Sequence, residues 1–295
     1  MSESSPRPYI LVGIDGSSSA LNALGWAAQE ATLRNLPLRL VCAADYGAAG
    51  MGFNPGAAEH FFEYISTNSE RFLEEARAYV GALDLDIEVT LSKPSGRPVP
   101  ALVELSQGAF LTVVGSSGLN AVTGLLAGSV AVALAAHGHS PVVVVRSSRP
   151  TTGPVVVGVS GTPDSEDAIN WAFEEASMRG AALIAVHSWK DLPGFLFYDY
   201  QPWDDLTGTA GAQQREMLLA ERLAGWQEKF PDVQVQRIVS TSKTAAALLG
   251  HAQHAQLIVV GSRGRGDAAG LFLGSTSHRL IHHAACPVLV ARQRA

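Results

Sequence analysis

Two stretches of this chain combine glycines and hydroxyl side chains in a pattern suited to holding an anion. GSSGLNAVTGLLAGS spans residues 115–129, and GSRGRGDAAGLFLGS spans 261–275. Each follows a short apolar run directly, LTVV or LIVV, and each closes on Gly-Ser. A glycine lacks a Cβ, so its backbone N–H can approach a ligand closely and the chain can take positive φ. The closing Gly-Ser opens a helical segment, whose first N–H groups lack intrahelical acceptors and carry the positive end of the dipole. Phosphate is the ligand that such an arrangement favours. In the first stretch the candidate contacts are Gly115, Ser116, Ser117, Gly118, Gly128, Ser129 and Val130. In the second they are Gly261, Ser262, Arg263, Gly264, Arg265, Gly266, Gly274, Ser275 and Thr276. Arg263 and Arg265 offer guanidinium forks that match phosphate oxygens, whereas the first stretch has no cationic side chain. Neither stretch is a Walker A loop, which needs Gly-Lys-Ser/Thr, nor the compact G-x-G-x-x-G of dinucleotide folds.

The elements around these loops come in two copies. LVGIDGSSSALNALGWAAQEATLRNLPLRLV (11–41) aligns without gaps on VVGVSGTPDSEDAINWAFEEASMRGAALIAV (156–186). Gly13 falls on Gly158, Trp26 on Trp171 and Arg34 on Arg179; later landmarks, such as Gly115 and Gly261, keep nearly the same offset. The halves join in RSSRPTTGP (146–154), a polar stretch of linker character. The expected domains are 1–148 and 149–295. In each half, apolar runs of strand length (YILVGI, LRLVCAA, FLTVVG, PVVVVRS) alternate with segments of helical period, such as SALNALGWAAQEATLRN and RFLEEARAYVGAL. Ser17 or Ser18 can cap the first helix, and VPALVELSQ and 121–136 also read as helical. Strands alternating with helices predict α/β domains, each with a five-stranded parallel sheet and helices on both faces. Ligands of such folds sit beyond the carboxyl ends of the strands, where strand order reverses.

Composition narrows the possibilities. A chain of 295 residues with 47% hydrophobic and 16% charged residues can bury a core in each half. A net charge of −6 without a Lys/Arg block predicts neither nucleic acid nor a membrane as partner. The apolar stretch 121–136 is shorter than the roughly 20 residues of a membrane span. Cys42 and Cys286 stand far apart, and MSESSPRPYILVGID lacks the apolar core of a secretory signal, so a reduced, cytoplasmic protein is expected. His251/His254 and His278/His282 have helical spacing but no thiolate or carboxylate cluster beside them, so no metal site is expected at the histidines. The segments 45–65 and 190–209 read as long loops, the second carrying Phe195, Phe197, Tyr198, Tyr200 and Trp203.

G-x-x-G, nine residues, then G-S occurs at 115–129 and again at 261–275. Together with VGIDGS, GLLAGSV, SPVVVV and CPVLV, it resembles the nucleotide-binding signature of the universal stress protein family, in its tandem two-domain form. The resemblance implies two Rossmann-like domains of the adenine-nucleotide alpha hydrolase-like type, with ATP and phosphate-bound Mg2+ as ligands. It also implies a nucleotide-dependent regulator of stress response or growth control rather than an enzyme, and a homodimer is the expected assembly. An interaction protein of the same fold with weak or lost nucleotide binding, and a slow ATPase, are the alternatives. Carried over residue by residue, the resemblance puts Asp15 beside the adenosine end, with Gly13 giving room, and the adenine ring near Val41. In the second half Gly158, Ser160 and Val186 take these places, and Ser160 replaces the acid.

Overall fold

The computed structural model describes residues 7–44, 55–118, 127–146, 152–161, 163–188, 209–262 and 273–292, with the side chains of 55–65, 163 and 209–211 left aside. The chain divides into two compact units, with the division between Ser148 and Arg149.

The first unit runs β1 (Tyr9–Gly13), α1 (Ser18–Arg34), β2 (Leu38–Val41), α2 (Pro55–Gly81), β3 (Val89–Ser92), α3 (Pro98–Leu105), β4 (Ala109–Gly115), α4 (Ser129–His137) and β5 (Val142–Val145). Its strands lie in the order β3-β2-β1-β4-β5, all parallel. The second unit runs β6 (Val155–Val159), α5 (Glu166–Met178), β7 (Leu183–Ser188), α6 (Thr209–Lys229), β8 (Val235–Ser240), α7 (Thr244–His251), β9 (Leu257–Gly261), α8 (Ser275–His283) and β10 (Val288–Ala291). Its order is β10-β9-β6-β7-β8, again parallel. Among the described residues each unit therefore has the five strands that the alternation predicts.

Burial explains why these runs are strands. Ile10, Leu11 and Val12 of β1, Val142 and Val143 of β5 and Val155–Val157 of β6 are wholly inaccessible, as expected where helices cover both faces of a parallel sheet. β3 and β8 keep half-buried and exposed positions, which is why their sequences alternate polar and apolar. Helix α1 buries a face made mostly of alanine (Ala20, Ala23, Ala27, Ala28 and Ala31), so its axis can run close over β1 and β4. In the second unit, Phe173 on α5 stacks on Trp226 of α6 and on Phe230 just beyond it, at centroid distances of 6.3 and 5.7 Å.

Among the described residues each unit also buries an ion pair. Glu30 on α1 has no exposed side-chain surface and pairs with Arg34, which is itself nine-tenths buried and lies over the Phe110 ring. At the equivalent place on α5, Glu175 and Arg179 repeat the pair at 2.9 Å with the same burial.

Two expectations change, and a third falls outside the described residues. Residues 55–65 are helical rather than loop, because α2 starts at Pro55 and continues in register into RFLEEARAYVG; proline is favoured at a helix's first position. The helix expected over 121–136 is seen from Ser129 to His137, with Ala127 and Gly128 ahead of it and 119–126 outside the described residues. The aromatic residues Phe195, Phe197, Tyr198, Tyr200 and Trp203 also lie outside the described residues, and α6 begins at Thr209.

Candidate functional site

In the first unit the chain leaves β1 toward β2 on one side, then crosses over to β4 on the other. The carboxyl ends of β1 and β4 thus flank the point where strand order reverses, which is where parallel α/β folds place ligands. The loop after β1 holds Asp15, Gly16 and Ser17. Gly16 has φ +81°, and its equivalent Gly161 has φ +78°, values that glycine adopts without strain. Ser17 caps α1, its Oγ accepting from Ala20 N at 3.1 Å. Asp15 fixes the cap: Oδ1 accepts from Ser17 N at 3.0 Å and from Ser17 Oγ at 2.6 Å. Replacing Ser17 by alanine should cost about 1 kcal/mol, the usual value of a lost cap, read as a lower urea midpoint with unchanged slope.

The loop after β4 meets this one from the other side. Gly115 allows close packing: a Cβ there would fall 2.7 Å from the Ser19 carbonyl carbon. Ser117 N donates to Ser19 Oγ at 3.3 Å, so this amide points toward α1. Ser116 N extends the sheet by donating to Val145 O at 2.9 Å, and Ser116 O accepts from Gly128 N at 2.6 Å. Gly118 is exposed, and a Cβ on it would stand 2.8 Å from Asp15 Oδ2. The structure therefore brings Asp15, Gly118 and the start of α4 together.

Helix α4 starts without a side-chain cap. Gly128 is the N-cap residue, and the first helical bond is Val132 N to Gly128 O, at 3.3 Å. Among the described residues, the amides of Ser129, Val130 and Ala131 have no acceptor, and Ser129 is exposed. Three amides at a helix start form a ready anion site.

The second unit repeats three of the backbone bonds around this helix start. Gly274 N donates to Ser262 O at 3.0 Å, Ser262 N to Ala291 O at 3.2 Å, and His278 N to Gly274 O at 2.9 Å. Gly274 likewise brings no side-chain cap, leaving Ser275 and Thr276 at the opening of α8. Ser277 Oγ donates to Gly261 O at 2.6 Å and ties the helix to the end of β9. Arg263, Gly264, Arg265 and Gly266 lie outside the described residues.

The remaining predicted positions are packed into the sheet. A Cβ on Gly13 would lie 3.1 Å from Val114 Cγ1, and one on Gly158 3.1 Å from Leu248 Cδ1, so close packing alone accounts for both glycines. Val41 and Val186 are buried beside them in register, and Val41 O accepts from Ile14 N at 2.8 Å. Ser160 lies ahead of α5 rather than at its N-cap. A short 3-10 turn (Pro163–Ser165) intervenes, Ser165 takes the N-cap position, and Glu166 and Asp167 supply the negative charge that suits a helix start.

The sequence reading missed a cation near the first crevice. Lys93 follows β3 and is held by Ser66 Oγ at 2.8 Å and by Glu70. Cys42, buried at the end of β2, senses its surroundings. Burial pushes its thiol up; Asp15 adds to that rise, while a Ser69 hydrogen bond and Lys93 act against it. The register of β2 with β3 could have revealed Lys93, because the residue after Ser92 must emerge beside the one after Val41. In the second unit His187 stands where Cys42 does, and its Nδ1 is 2.8 Å from Val159 O. Among the described residues no three His, Cys, Asp or Glu side chains come together as a metal site.

Two parallel α/β domains of one design, each with an uncapped helix opening at its reversal point, define a duplicated Rossmann-like protein. The chain belongs to the universal stress protein family, whose model matches residues 8–146 and again 151–292. It is 40% identical to universal stress protein Rv2005c of Mycobacterium tuberculosis, over 99% of this chain and 100% of that protein. It is 37% identical to universal stress protein Rv2623 of the same organism, over 99% of both chains. A universal stress protein of Archaeoglobus fulgidus, 21% identical, shares the fold with a TM-score of 0.71 over 96% of this chain and 98% of that one.

Proposed function

We propose that each unit binds ATP, with Mg2+ held through the phosphates, and that occupancy governs how the protein engages partners in stress response or growth control. The observation that carries this reading is the pair of helix starts without a side-chain cap, α4 and α8, each opened by a glycine N-cap. The Ser129, Val130 and Ala131 amides and the exposed Gly118 suit a polyphosphate, with Asp15 left for the adenosine end of the ligand. The role is binding rather than turnover: Asp15 Oδ1 is committed to Ser17, which makes the carboxylate a positioning group rather than a base for hydrolysis. We place the protein in the cytoplasm as a homodimer. Among the described residues no helix is long and apolar enough to cross a membrane.

Heat-denaturing freshly purified protein and resolving the supernatant by anion exchange tests the reading. The expected result is adenine nucleotide in near-stoichiometric amount. No released nucleotide, together with no heat on titration with ATP-Mg2+, favours instead an interaction protein that kept the fold, a reading that Ser160 in place of an acid permits for the second unit.

A further inference from the structure

Helix α2 is fastened to the rim of the first crevice at three points. Phe72 is the first. Its ring lies so close to Gly16 that a Cβ on that glycine would overlap it. Gly16 stands between Asp15 and Ser17 with φ +81°, so the ring backs the turn that carries the carboxylate. The Arg71 guanidinium lies 4.6 Å from the centre of the same ring. Ser69, one turn earlier, is buried and hydrogen-bonds the Cys42 thiol at the end of β2. Lys93, just past β3, completes the set: its ammonium donates to Ser66 Oγ at 2.8 Å and pairs with Glu70. The strand ends are themselves joined, because Ile14 N donates to Val41 O at 2.8 Å and Cys42 N to Ser92 O at 3.2 Å. One helix therefore braces the turn after β1 and the ends of β2 and β3 together. Its other side is exposed and carries the Arg71–Glu75 and Arg77–Glu74 pairs and Tyr79.

We propose that α2 is the element through which the first unit reports its ligand, with Phe72 as the positioning residue for the Asp15 turn. This rests on the reading that the unit binds ATP with the adenosine end beside Asp15. A nucleoside held by Asp15 fixes the turn, and the turn meets the Phe72 ring through a glycine that has no side chain to absorb the load. Holding the turn thus removes freedom from α2, and the effect reaches the exposed side of that helix without any contact between α2 and the ligand. Such coupling is reciprocal: if the ligand steadies α2, loosening α2 must weaken the ligand by the same factor.

Hydrogen exchange and titration calorimetry of the full chain test both directions. In the native protein, saturating ATP-Mg2+ should slow amide exchange across residues 66–76 of α2 by about threefold or more. Phe72→Ala should weaken one class of ATP site by about two- to thirtyfold, the range open to residues that act without touching a ligand. Phe72→Leu keeps an apolar contact with Gly16 and should restore the affinity to within about twofold of native. Val80→Ala is the structural control: it also loosens a buried position of α2, but about 12 Å further along the helix, and should leave the affinity native. In Phe72→Ala saturated with ATP-Mg2+, slowed exchange should persist at the opening of α4 and vanish at α2, which separates coupling from general stabilisation by a bound ligand. Unchanged exchange at α2 in the saturated native protein overturns the inference while leaving ATP binding intact, and that measurement needs no variant to fold. An affinity that Phe72→Ala leaves native, or that Val80→Ala lowers equally, overturns it as well. No heat with ATP-Mg2+ in the native protein removes the underlying reading instead, a result that cannot be confused with the others.

Discussion

Arg34→Ala and Arg179→Ala will each destabilise the protein by about 3–5 kcal/mol, the cost of leaving a buried carboxylate without its counter-charge. Glu30 and Glu175 have no exposed side-chain surface, so neither can recover its hydration when the guanidinium is removed. The loss at Arg34 includes packing, since its guanidinium lies 5.0 Å from the centre of the Phe110 ring. A paired substitution separates the terms. Glu30→Gln combined with Arg34→Ala removes both charges and should recover a large part of the stability lost in Arg34→Ala alone. Urea denaturation of the four proteins in that cycle measures the coupling directly. If Arg34→Ala costs less than about 1 kcal/mol, the pair behaves like an exposed one and the buried-charge account fails.

The second large effect is expected at Gly115. A methyl group there would press on the Ser19 backbone, which, unlike a side chain, cannot rotate away. Gly115→Ala should therefore push the first turn of α1 off the end of β4, break the Ser117 N to Ser19 Oγ bond and tilt Asp15 away from Gly118. Overpacking of this kind typically costs about 1–3 kcal/mol. If the first unit binds ATP as proposed, its nucleotide content should fall by tenfold or more, roughly the effect of losing one or two aligned donors. Gly81→Ala is the control. It lies at the end of α2 with nothing within 4 Å of the new methyl group, so it should leave both stability and ligand content near their native values. Full nucleotide retention in Gly115→Ala would show that the approach of α1 to β4 does not matter to the site.

The fold was legible because its signals are local and occur twice. Apolar runs of strand length, helical periods between them and a near-constant offset between halves fix the element order, and parallel pairing follows from alternation. Gly115, Gly118 and Gly128 could be singled out because glycine spacing after a strand reports a turn that side chains would block. What each glycine does was not legible. Gly115 and Gly13 are packed against Ser19 and Val114, whereas Gly118 is exposed beside Asp15, and only the three-dimensional path distinguishes these cases. The start of α5 at Glu166 was hidden for a similar reason: the 3-10 turn at Pro163–Ser165 shifts the cap away from the residue that alignment with the first half suggests. Glu30 and Arg34 are four residues apart, a spacing usually found on a wet helix face, and their burial depends on neighbours distant in the chain. Lys93 emerges at the crevice through strand register, which single-strand patterns do not encode.

The alanine face of α1 has a bearing on how such a protein can be tuned. Methyl groups set the gap between helix and sheet, and the same helix carries Ser17 and Ser19 into the crevice at its tip. A single added carbon at Ala23 or Ala27, deep in the interior, would act like a shim, lifting the whole rod and widening the mouth by a fraction of an ångström. Ligand grip can then drift over generations through residues that never touch a ligand, and a survey confined to the mouth would overlook the dial.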